Sequence, residues 1–196
     1  MESTETTQQS AVQAAWNKRP LIISGPCSAE TEEQVIETAE RLAKTGKVDM
    51  LRAGIWKPRT KPGMFEGIGA KGLPWLQKAK KLTGLPTTVE VATGKQVEDA
   101  LTFDVDVLWI GARTTVNPFS VQEVADALRG VDVPVLIKNP INPDLELWQG
   151  ASSIQNAHRG AGVVFVFPSY MMHRVTKVTR GVRRSFVLWV GGCTYK

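Results

Sequence analysis

A chain of 196 residues, 42% hydrophobic and 22% charged, has the length and make-up of one globular domain with a real core and lacks room for two. The net charge of +5 invites a nucleic-acid reading, but residues 171–196 hold Arg174, Lys177, Arg180, Arg183, Arg184 and Lys196 with no acid. The remainder is close to neutral, and no stacking-aromatic pattern of a nucleic-acid module accompanies the basic tail, so no nucleic acid is expected as partner.

In chain order, the opening MESTETTQQS is polar and acidic, unlike a signal or transit peptide, and no apolar run is long enough to span a bilayer. No membrane partner is expected, and a cytoplasmic location is. PLIIS (20–24) is a short apolar run closed by Gly25 and Pro26, the mark of a buried strand. SAETEEQVIETAERLAKTG follows with Ser28 or Thr31 as N-cap, acids in its first turn and Gly46 at its end. Its apolar Val35, Ile36, Ala39, Leu42 and Ala43 recur at helical spacing. VDMLRAG is a second strand. The loop after it gathers Lys57, Arg59 and Lys61 among Pro58, Pro62 and several glycines, a composition that suits neither helix nor strand and describes a stiff cationic loop.

AKGLPWLQKAKKLTG is a helix with Leu73, Leu76, Ala79 and Leu82 on its apolar face. PTTVEVA is a third strand, GKQVEDALTF a third helix and VDVLWIGA a fourth strand, followed by the helix PFSVQEVADALRG with Pro118 near its start. VPVLIKNP is a fifth strand and PDLELWQGASSIQNA the helix behind it. Near-continuous apolar strands alternating with amphipathic helices mean a parallel sheet with helical cover.

An open doubly wound sheet and a (β/α)8 barrel both fit this order. Neither a G-x-G-x-x-G turn nor a P-loop supports the open sheet. Cys27, Arg52, Lys57, Arg59, Arg113 and Lys138 all fall at or just beyond the C-terminal ends of strands. A barrel gathers those ends around one mouth, where active sites sit, so the pattern favours the barrel. With little acid nearby in the sequence, cations so gathered call for anionic ligands, phosphates and carboxylates, which Arg grips bidentately and Lys meets as a point charge. Cys27 and Cys193, far apart and without metal-finger spacing, are not expected to pair.

GPCSAE after the first strand, RAGIWKPRT after the second, IGARTT after the fourth and LIKNP at the fifth stand in one family's order and spacing. Over about residues 18–150 the chain resembles the class I 3-deoxy-D-arabino-heptulosonate 7-phosphate (DAHP) synthases. Their superfamily also holds 3-deoxy-D-manno-octulosonate 8-phosphate (KDO8P) synthase. The resemblance implies a (β/α)8 TIM barrel that condenses phosphoenolpyruvate with erythrose 4-phosphate, the first step of the shikimate pathway toward chorismate and the aromatic amino acids. It also implies a homo-oligomer and a divalent metal, Mn2+ or similar, with Cys27 as ligand. By the same resemblance Arg52, Arg113 and Lys138 hold phosphoenolpyruvate, and Lys57, Pro58, Arg59 and Thr60 hold the sugar phosphate. Lys138 and Cys27 are the implied catalytic pair, Lys138 moving a proton and Cys27 placing the metal.

Beyond Gly150 the family pattern is not followed. HRG at 158–160 comes too soon after Lys138, VVFVFPSY ends in Ser169 and Tyr170 where the family's H-R-G-F-S-S-Y would fall, and His158, His173 and Cys193 are weak substitutes for the remaining metal ligands. The expected layout is a polar segment at 1–17, a partial barrel of five to six β-α units at 18–157 and a divergent basic tail at 158–196. The metal site is expected to be incomplete. KDO8P synthase, which takes arabinose 5-phosphate, and a non-catalytic phosphoenolpyruvate-binding fragment are the alternatives.

Overall fold

In the computed structural model the described residues are 12, 14, 21–59, 61, 63–141, 144, 146–152 and, for the backbone, 163–166. The strands are β1 (Ile23–Ser24), β2 (Met50–Arg52), β3 (Thr87–Val91), β4 (Val107–Ile110), β5 (Val135–Lys138) and β6 (Val163–Val166). All neighbours pair in parallel, and the sheet order β1-β2-β3-β4-β5-β6 is the chain order. That order separates the two architectures the sequence left open. A doubly wound sheet reverses direction at a switch point and carries helices on both faces, whereas right-handed crossovers in strict sequence put every helix on one face and curl the sheet. The result is half of a (β/α) barrel, and among the described residues β1 and β6 do not pair with each other.

The helices form where their caps and apolar faces say they should. In α1 (Glu32–Lys44) Thr31 is the N-cap and accepts from Gln34 N at 3.2 Å, with Glu32 and Glu33 in the first turn and Arg41 and Lys44 in the last. Both charge sets oppose the helix dipole. A 3-10 turn at Gly69–Gly72 leads into α2 (Leu73–Thr83), which Gly84 ends in the left-handed region at φ 72°. Thr93 caps α3 (Gly94–Thr102), a one-turn α4 (Ala112–Thr115) follows β4, and Asn117 with Pro118 starts α5 (Pro118–Ala127). Residues 146–152 are helical and precede β6. The expected apolar face of α2 needs one correction: Leu73, Leu76 and Ala79 are buried, but Leu82 is 56% exposed because α2 turns it away from the sheet in its last turn.

Strand parity splits the core in two. Leu51, Val89, Val91, Leu108, Ile110, Val135 and Ile137 point to the helices and pack with Val35, Ala39, Leu76, Val97 and Val121. Alternate residues point to the barrel interior, where Met50, Val107, Trp109 and Leu136 form a second cluster with Val12 and Ile23. The interior is therefore apolar at the N-terminal ends of the strands. At the C-terminal ends the same parity brings Arg52, Glu90 and Lys138 inward. On the opposite rim Asp106 accepts from Thr87 N at 2.7 Å and pairs with Lys80 Nζ at 2.8 Å, with both side chains nearly covered. Charges at that end serve stability.

The segment at 1–17 contributes Val12 and Ala14 to the described residues, and the segment at 158–196 contributes the backbone of β6, which pairs with β5 from Val135↔Val163 to Lys138↔Val166. His158, Arg159, His173 and Cys193 lie outside the described residues.

Candidate active site

The loop after β1 rests on the loop after β2. Gly54 N donates to Pro26 O at 3.1 Å and Ala29 N donates to Gly54 O at 3.1 Å. A Cβ at residue 54 would overlap the carbonyl oxygen of Cys27, so glycine is the residue that lets the two backbones touch. This contact fixes Cys27 at the mouth. The loop after β2 closes on itself through Lys57 N donating to Glu66 O at 2.8 Å and Arg59 Nε donating to Phe65 O at 2.7 Å. Pro58, between them, restricts the backbone further. Lys57 turns inward and donates to Cys27 O at 2.7 Å and toward Cys27 Sγ at 3.5 Å. That hydrogen bond and the Lys57 charge hold the Cys27 thiol below its ordinary range, with smaller help from Arg52 and Arg59 and a partial offset from burial.

Deeper in the mouth the inner face of β2 to β5 presents Arg52, Glu90, Trp109 and Lys138. The Arg52 guanidinium carbon lies 4.6 Å and Lys138 Nζ 4.1 Å from the centroid of the Trp109 ring. Burial holds the Lys138 ammonium below the usual lysine range, opposed by Glu90 and reinforced by the neighbouring Arg52 charge. Glu90 shows the converse: burial raises its carboxyl above the usual range, although Lys138, Arg52, Arg113 and Lys57 all favour its ionised form. Burial is the largest cause at both groups. A Cβ on Gly111 would overlap the Glu90 carboxylate, so the glycine after β4 makes room for it.

On the inner face, Arg52 Nε and Thr88 Oγ1 are buried and have no hydrogen-bond partner among the described residues. Buried polar atoms are ordinarily satisfied, and a group of them on one face marks a place built for a polar guest. The guest favoured by charge is an anion.

The structure thus brings Cys27, Arg52, Lys57, Arg59, Arg113 and Lys138 to one mouth. Arg113, on α4, is exposed and close enough to act on Glu90, and Thr60 lies outside the described residues. The expectation of little nearby acid is corrected by Glu90, which stands among the cations. Glu90 and Trp109 join these residues on the inner face, where strand register rather than residue type places them.

The described residues do not make a divalent-metal site. No three of His, Cys, Asp or Glu come together among them, and the Cys27 sulfur faces an ammonium. One sulfur is not a metal centre.

A sequentially wound parallel half-barrel with cations gathered at its mouth is a barrel-type α/β protein. The chain belongs to the DAHP synthetase I family, whose sequence model matches residues 3–192, beyond the motif-bearing stretch at both ends. It is 42% identical over 96 residues to a phospho-2-dehydro-3-deoxyheptonate aldolase of Thermotoga maritima, covering 49% of this chain and 28% of that protein. It is 29% identical over 158 residues to a 2-dehydro-3-deoxyphosphooctonate aldolase of Azoarcus sp., covering 74% of this chain and 56% of that one. The crystal structure of a Thermotoga maritima DAHP synthase superposes with a TM-score of 0.62 at 28% identity, covering 74% of this chain and 39% of that one. The chain thus spans between 28% and 56% of the length of these relatives.

Proposed function

We propose that the mouth binds phosphoenolpyruvate and that the protein condenses it with erythrose 4-phosphate, giving 3-deoxy-D-arabino-heptulosonate 7-phosphate and inorganic phosphate. The observation that carries this reading is the convergence of Arg52 and Lys138 on the Trp109 ring with unsatisfied buried polar atoms beside them. Family membership supports the choice of substrates.

Arg52, Lys138 and Arg113 neutralise the phosphate and carboxylate of phosphoenolpyruvate and fix it against the floor. Lys57, Pro58, Arg59 and Thr60 then place the sugar phosphate so that the aldehyde carbon faces C3 of phosphoenolpyruvate. The C3–C1 bond forms, the aldehyde oxygen takes a proton, water adds at C2, and the C2–oxygen bond to phosphate breaks. Lys138, kept low by burial, is the group suited to give or take a proton at the reacting oxygen. The divalent metal of the family reading, Mn2+ or similar, would find one ligand, Cys27, among the described residues. A cytoplasmic location goes with this reading. Self-association is part of the proposal too, because Met64, Phe65, Val116, Phe119 and Ile141, on loops and helix starts around the mouth, are exposed apolar side chains.

Following phosphoenolpyruvate consumption with each aldose tests the activity. Faster turnover with erythrose 4-phosphate is the expected result. Preference for arabinose 5-phosphate would assign the octulosonate reaction, and inactivity with both while phosphoenolpyruvate still binds would reject catalysis by this chain.

A further inference from the structure

Two cations that must hold one anion repel each other while the site is empty. The usual remedy, a carboxylate between them, would also cancel the charge that the ligand needs. In this mouth an aromatic ring lies against both cations. Trp109 is 6% exposed, sits on the inner face of β4 opposite Glu90 of β3 and Leu136 of β5, and has Arg52 at 4.6 Å and Lys138 at 4.1 Å from its ring centroid. The ring's negative quadrupole attracts both cations and carries no net charge. Glu90 neighbours the same floor, its carboxyl raised by burial while Lys138 and Arg52 favour its ionised form.

We propose that Trp109 is a positioning residue of the anion site: its ring holds Arg52 and Lys138 side by side, charged and directed at one ligand, without neutralising either. This rests on the reading that the mouth binds phosphoenolpyruvate. Arg52 comes from β2 and Lys138 from β5, with β3 and β4 between them, and the ring of Trp109 lies against both. Long flexible cations lose much rotamer freedom when a ligand fixes them, and a ring that orders them beforehand lowers that cost.

The test is calorimetric titration of the full chain with phosphoenolpyruvate, comparing the parent protein with W109F, W109L and W109M. Phenylalanine keeps an aromatic face and removes the indole N–H; leucine and methionine remove the face, and methionine fills more of the space should leucine fail to fold. Melting midpoints and far-ultraviolet circular dichroism identify the folded variants. Binding within about threefold of the parent in W109F and weakened about tenfold or more in the folded aliphatic variants is expected from two aromatic–cation contacts. A change in indole emission on adding phosphoenolpyruvate to the parent that is lost in W109F would place the ligand at this ring. Parent-like affinity in a folded W109L or W109M overturns the inference, as does a loss in W109F equal to that in the aliphatic variants. Failure of the parent itself to bind overturns instead the reading on which the inference rests.

Discussion

Glu90 is held between two opposing effects, and its protonation sets how much positive charge the mouth presents. Because burial raises its carboxyl above the ordinary value near 4.5, between those two values the folded protein holds a proton there that the unfolded chain has released. Stability from this group is therefore present below the ordinary value and is lost as pH rises through the raised folded one. Glu90→Gln should flatten that fall in melting temperature, and it should also tighten phosphoenolpyruvate binding on the alkaline side, where the parent carries an extra negative charge. An unchanged pH profile in Glu90→Gln would show that Glu90 does not titrate as described. Gly111→Ala should push the Glu90 carboxylate out of its place. Paired with Glu90→Ala, the same substitution should cost little, and a double-mutant comparison of melting temperatures checks this. Of these residues the sequence shows the cations plainly, since they follow apolar runs at strand ends. Glu90 and Trp109 were not legible, because their meaning depends on which face of the strand they occupy, and only register decides that.

At the level of elements, the alternation of strand and helix is legible because each helix carries its own start signal. Thr31→Ala removes the acceptor for Gln34 N and should lower stability by about 1 kcal/mol in denaturant unfolding. Lys80→Ala has a larger expected effect, about 3 kcal/mol, because it leaves Asp106 covered and without its cation at the stability end of the sheet. Equal effects of the two substitutions would show that the buried pair contributes no more than a cap. What sequence periodicity could not show is α4, a single turn at Ala112–Thr115 too short for any apolar repeat, with Thr114 and Thr115 N–H groups both bonded to Gly111 O. It lifts Arg113 to the rim and starts the turn that leads into α5. Leu82 departs from the apolar face for a related reason: periodicity continues to the last turn of α2, while the sheet beneath it does not.

Across the whole molecule, the decisive feature is the strand order, which composition and pattern left between two architectures and which the sequential pairing resolves. The motifs at four strand ends pointed to a barrel because that architecture gathers strand C-termini around one mouth. The exposed apolar side chains at that mouth predict self-association. Sedimentation of the parent chain should show a species heavier than the 21.5 kDa monomer, and Phe119→Glu, at a side chain 86% exposed, should shift it toward the monomer. A parent that sediments as a monomer at every concentration would contradict this. The central claim, that the mouth is an anion site built for phosphoenolpyruvate, is tested most directly by calorimetry of the full chain at low and high salt. Binding at about millimolar ligand or below is predicted, weakening as salt rises and falling about tenfold or more in Arg52→Ala and Lys138→Ala. No heat of binding in the folded parent, or undiminished affinity in both variants, would contradict it.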